Sequence, residues 1–167
     1  MPIVEALQSY FRAERDLGLA LSVVGVLFLA GAVWVHRTQS GGFAWGLLVP
    51  AAVVGLAFSL GGVFLAQRSH GQITSLAEQA ERAPATFLAE EVPRMGRVNA
   101  NWPRVKMVWT VGLLAALVLL QVVRREWATG LGLALLAALG VLFFVDVFAE
   151  RRAETYTEAL RDAARRG

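Results

Sequence analysis

The chain has 167 residues, 56% hydrophobic and 17% charged, against about 45–50% apolar and about 25% charged in an ordinary soluble domain. It contains no cysteine, which excludes disulfides, thiolate metal sites and cysteine nucleophiles. The net charge of +3 rests on 15 arginines and a single lysine; in a membrane protein such a surplus retains loops on the cytoplasmic side, so no nucleic-acid partner is expected.

At the N-terminus Val4, Leu7, Phe11 and Glu14 recur at helical spacing and lead into an uncharged apolar run over residues 17–35. Ala30-Gly31-Ala32 has the form of a signal-peptide cleavage site. The preceding segment, however, sets Glu5, Glu14 and Asp16 against Arg12 and Arg15, so the run reads as an anchor. A second uncharged run covers residues 43–66, with Pro50 expected to kink it. Ile73, Leu76, Ala77 and Ala80 then mark one helix face up to about Arg82. Pro84 breaks that helix and Thr86 is expected to cap the next, whose stripe is Leu88, Val92, Met95 and Val98. Pro93 and Pro103 should kink the approach to a third run over residues 105–123, charged only at Lys106. The fourth run, residues 128–148, carries only Asp146, and a tail helix over about 149–165 follows with a stripe of Ala149, Ala153, Tyr156, Leu160 and Ala163.

Crossing the hydrocarbon core takes about 20 helical residues, and each run has that length. Without water to satisfy the backbone, each must be a helix. The expected fold is all-α: one polytopic membrane domain over residues 1–167, its four transmembrane helices extended by cytoplasmic helices into a four-helix bundle. The central connection, about 67–104, is a helical hairpin turning near Ala83-Pro84. The N-terminal segment, central loop and tail hold all the bases except Arg37, Arg124 and Arg125. That asymmetry predicts both termini and the central loop in the cytoplasm. Trp34, Trp45 and Trp127 then fall at the outer border, Trp102 and Trp109 at the inner one. Ala66-Gln67-Arg68 after the second run and Ala149-Glu150-Arg151 after the fourth hint at a parallel duplication.

Asp146 is the acid within a span, and intramembrane carboxylates are functional candidates by default. One turn from the inner end, it is within reach of Arg104, Lys106 or Arg68, and such an ion pair is the structural reading. Small residues recur every fourth position: Gly18 and Ser22; Ala51, Gly55 and Ser59; Gly112 and Ala116; Gly130, Ala134 and Ala138. Such stripes let backbones approach closely, for internal packing, for a protein partner or for a homo-oligomer face. His36 and His70 fall on opposite sides and cannot share a metal; Ser22 and Ser59 have no base nearby. No catalytic, cofactor or metal site is expected. Glu90 and Arg94, four apart, make an ordinary solvated helix pair. The segment 87–102 mixes polar and apolar side chains most densely. Its Arg94 and Arg97, with Arg104, sit where anionic lipid attracts them. That segment and the tail helix are the expected grip on any cytoplasmic partner.

Two stretches, FLAEEVPRMGRVNANW (residues 87–102) and DVFAERRAETYTEAL (residues 146–160), resemble small four-helix bacterial inner-membrane proteins, some of immunity type. The resemblance implies a non-enzymatic protein that binds another protein within the bilayer, in its most concrete form an immunity or inhibitor protein against a membrane-directed toxin. The alternative is a small transporter or channel subunit using Asp146, Gln121, Thr110, Ser22 and Ser59.

Overall fold

The computed structural model describes residues 3–166, which form four helices: α1 (Ile3–Thr38), α2 (Gly42–Arg82), α3 (Pro84–Val122) and α4 (Glu126–Arg166). No strand occurs among the described residues. Helices of 36 to 41 residues rise about 1.5 Å per residue. They are therefore about twice as long as the ~30 Å hydrocarbon core is thick. Each contains an 18-residue stretch of mean hydropathy 2.0 to 2.5. By length and composition this is a multi-pass helical membrane protein.

The turns are short. Residues 39–41 and 123–125 close one end, where Gly41 adopts φ 90°, a conformation that glycine reaches without steric cost. At the other end Ala83 alone separates α2 from α3, its N–H donating to Gln79 O at 2.9 Å. Pro84 follows at the first helical position, where its missing N–H costs nothing. Thr86 is therefore not the cap: Ala83 occupies that position, and no side chain bonds to the free amides. Helix α2 runs on through Pro50, and α3 through Pro93 and Pro103.

Two cores of different character hold the bundle. In the apolar halves, α1 lies on α2 so closely that a Cβ on Gly18 would sit 2.6 Å from Gly62 O, and one on Gly25 2.6 Å from Gly55 O. Gly130 of α4 meets the α2 backbone, with Leu47 N at 2.7 Å from its would-be Cβ. Gly112 faces Leu139 and Gly132 faces Leu120, joining α3 to α4. The order across the layer is α1, α2, α4, α3, and Ala32, Ala51 and Ala134 meet at its centre. Lipid tails are as apolar as leucine, so close backbone packing replaces hydrophobic burial as the holding force. Leu60 and Val122 accordingly stand 70% and 71% exposed.

At the end carrying both termini the core is built from large side chains: Leu7, Tyr10 and Phe11 of α1, Phe87 and Met95 of α3, Tyr156 and Leu160 of α4, flanked by Ile73 and Leu76 of α2. Burying each such side chain contributes roughly 1.5–3 kcal/mol in water. The expected stripes in all four extensions converge on this core.

Candidate functional site at the terminus-bearing end

Phe87, Glu91 and Met95 recur every fourth residue of α3, so the stripe that supplies the core also buries a carboxylate, Glu91, at 4% exposure. A buried charge needs a partner and further hydrogen bonds. Arg94 supplies both arms of its fork, Nε donating to Oε2 and Nη2 to Oε1, each at 2.6 Å. Tyr156 donates its hydroxyl to Glu91 Oε1 at 3.1 Å. The Tyr156 ring stacks on Tyr10, centroids 4.8 Å apart, and Tyr10 donates to Glu14 Oε1 at 2.7 Å. Ser69 of α2 donates to the other Glu14 oxygen at 3.5 Å. The Arg94 guanidinium stands over Phe11, 5.9 Å from the ring centre. One network thus joins all four helices beside the apolar core.

Burial pushes both tyrosines above the ordinary phenol range, Tyr10 helped by Glu14 and Tyr156 by Glu91. The hydrogen bonds to Glu91 raise Arg94 further, against the opposing effect of its own burial. The phenols are fixed as neutral donors and the guanidinium as a cation, an arrangement that positions helices rather than moves protons. Asn99 donates to Thr157 at 2.9 Å, and Thr157 to Ala153 O at 2.6 Å. The Arg152 Nε and Nη2 atoms are buried without an acceptor among the described residues.

The structure alters two expected pairings. Arg94 bonds to Glu91 three residues earlier, not to Glu90, because Glu91 lies on the core face. Glu90 instead accepts from Gln79 at 3.3 Å. Asp146 has no arginine or lysine partner among the described residues; it accepts the indole N–H of Trp109. Lys106 reaches one turn further to Glu150, with both oxygens at 2.8 Å.

The small-residue candidates lie in internal contacts. Gly55 meets Gly25 and Leu29, Ser59 meets Gly25, and Gly112 meets Leu139. Gly130 meets Phe43 and Leu47, and Ala134 is buried with Ala32 and Ala51. Arg97 is exposed and lines a groove between α2 and α3. Ser22 donates to Gly18 O and Ser59 O and Thr110 to Lys106 O, while Gln121 is exposed near the other end of α3. These polar groups are scattered along the spans. His36 stacks edge-on against Trp45 at 4.8 Å, and His70 is exposed. No cluster of three histidines or acids able to hold a metal occurs among the described residues.

Sequence reasoning set Glu91 aside with Glu90, beside Arg94 and Arg97, as part of a solvated helix face, and passed over Tyr10, Asn99 and Arg152 as polar members of this end. For Glu91 a signal existed: it falls midway between Phe87 and Met95 on the helical period.

A further feature lies at the tip. Ile3, Pro84, Ala85, Leu88, Ala89, Val92, Pro93, Ala163 and Ala164 line an apolar cleft of about 690 Å³ where α1, α3 and α4 end together. Compared with family models, with curated proteins and with solved structures, the chain matches none of them.

Proposed function

We propose that the protein is a non-enzymatic, multi-pass protein of the bacterial inner membrane, with both termini in the cytoplasm, that acts by binding another protein. The observation that carries this reading is the apolar cleft at the tip. Leu88 lies 17 residues before Val105, where the third apolar run begins, or about 25 Å along the helix. Lipid does not reach that far. An apolar hollow exposed to water at such a distance is the kind of surface that a protein partner covers. The hydrogen bonds among Glu91, Arg94 and Tyr156 tie α3 to α4, the two helices that supply most of the cleft lining.

The most concrete version is an immunity or inhibitor protein against a membrane-directed toxin, supported by the resemblance of residues 87–102 and 146–160. The small-residue stripes are taken up by internal contacts, so a partner within the bilayer would meet the outward faces of the helices. A second reading, a small transporter or channel subunit, is favoured by Asp146 alone. Asp146→Asn separates them: a coupled transporter loses flux, and a binding protein keeps its partner.

Mild-detergent affinity purification of the wild type and Ala89→Arg tests the proposal. Ala89 is exposed and lines the cleft. A stoichiometric partner should copurify with the wild type and with Gly71→Arg, an exposed position on α2, and be lost from Ala89→Arg. Equal recovery from all three, or none from the wild type, contradicts it.

A further inference from the structure

Between α2 and α3, at the level where the apolar runs end, lies a groove of about 690 Å³ whose lining includes Arg68, Arg94, Arg97, Asn101, Trp102 and Arg104. Positions 94, 97, 101 and 104 share one face of α3, and Arg68 comes from α2 opposite. Arg94 is neutralised by Glu91. Arg68, Arg97 and Arg104 have no carboxylate within 4.0 Å among the described residues. The Trp102 indole N–H is buried and finds no acceptor there either. Three uncompensated guanidiniums around one hollow call for an anion with several acceptor oxygens. Forked guanidiniums match phosphate in particular.

The depth of the groove says which phosphate. Arg68 follows the second apolar run by two residues, and Arg104 immediately precedes the third. Below Arg68 on the same face of α2 come Phe64 and Leu60, 66% and 70% exposed. Below Arg104 on α3 come Val108 and Val111, 57% and 60% exposed. Because α3 packs on α4 and touches α2 little, these apolar side chains stand uncovered on the membrane side of the arginines. We propose that this groove binds the headgroup of an anionic lipid carrying two phosphates, its acyl chains lying along the exposed apolar faces of α2 and α3. A single phosphodiester, with one negative charge, would leave two of the three cations uncompensated; two phosphodiesters leave one. The site is separate from the cleft at the tip and does not depend on a protein partner.

Native mass spectrometry of the full chain, released from phosphatidylcholine micelles doped with cardiolipin or with phosphatidylglycerol, tests this. The wild type should retain one cardiolipin per chain, about tenfold more than phosphatidylglycerol. Retention should fall about tenfold in the Arg68→Gln, Arg97→Gln, Arg104→Gln triple variant. It should not change in the charge-matched Arg161→Gln, Arg165→Gln, Arg166→Gln variant at the tail. If the groove triple variant does not fold, Arg97→Gln alone, exposed and outside the core, carries the comparison. Equal losses in the groove and tail variants, or equal retention of the two lipids, overturn the proposal. Displacement of cardiolipin by an equal concentration of inorganic pyrophosphate also overturns it, since the groove would then read free phosphate.

Discussion

Gly61 and Gly62 are neighbours on α2 with opposite surroundings, and the packing account makes opposite predictions for them. A Cβ on Gly61 meets nothing within 4 Å. A Cβ on Gly62 would overlap Gly18 O and Ser22 Oγ, and would lie 2.7 Å from Ser22 N. Two of those atoms are α1 backbone, which cannot swing aside as a side-chain tip can, so α1 and α2 must separate. A gap of 0.5–1 Å already forfeits roughly a quarter to a half of each contact's dispersion energy. Forced overpacking of this kind costs about 1–3 kcal/mol. Gly61→Ala, by contrast, gains up to about 1 kcal/mol of helix propensity. Gly62→Ala gains the same propensity, so the two single-methyl changes should differ by the overpacking cost alone, about 1–3 kcal/mol, or roughly fivefold or more in the folding equilibrium. Steric-trapping unfolding in bicelles measures both. Equal stabilities, or a less stable Gly61→Ala, would refute the claim that α1 and α2 are held by backbone approach at Gly62.

The remaining predictions concern the terminus-bearing end and orientation. The two tyrosines of the chain both lie in the buried network, so tyrosinate absorbance reads them alone. With folded pKa values raised above the ordinary value of about 10, their contribution is complete below that pH and lost above it. The folded protein should show little tyrosinate at pH 10, and its stability should fall as the pH rises further; an ordinary titration midpoint would contradict the burial. Glu91→Gln should cost about 1–3 kcal/mol by weakening the bonds from Arg94 and Tyr156. A double-mutant cycle with Tyr156→Phe should give a coupling of about 0.5–3 kcal/mol, and exact additivity would dissolve the network. Because the chain has no cysteine, single cysteines report sidedness. An impermeant maleimide should label Ser40→Cys in intact cells and Gly71→Cys only after permeabilisation, and the reverse pattern would invert the proposed orientation.

The four helices were legible because each apolar run is long enough to cross a bilayer and the stripes continue beyond it at helical period. Val4, Leu7 and Phe11, or Ala153, Tyr156 and Leu160, are spaced by the same geometry that brings them together. Register between helices was not legible. The four-residue spacing of Gly55 and Ser59 announces close packing, but which glycine meets which depends on how the helices slide along each other. The polar network was hidden for a related reason. Glu90 and Glu91 are adjacent in sequence, and only the core position of Phe87 and Met95 decides which of them is buried and takes Arg94. Asp146 was misassigned because proximity in depth to Lys106 does not fix azimuth: Trp109 faces it, and Lys106 faces Glu150. The cleft at the tip has no local signature, since Ile3, Leu88 and Ala163 come from three distant segments.

The measurement closest to the central claim is photo-crosslinking in the living cell, with a benzophenone side chain placed at Ala89 in the cleft or at Gly71 on α2. Position 89 should give a discrete protein adduct and position 71 none. No adduct at 89, or the same adducts from both positions, would contradict a partner seated in the cleft.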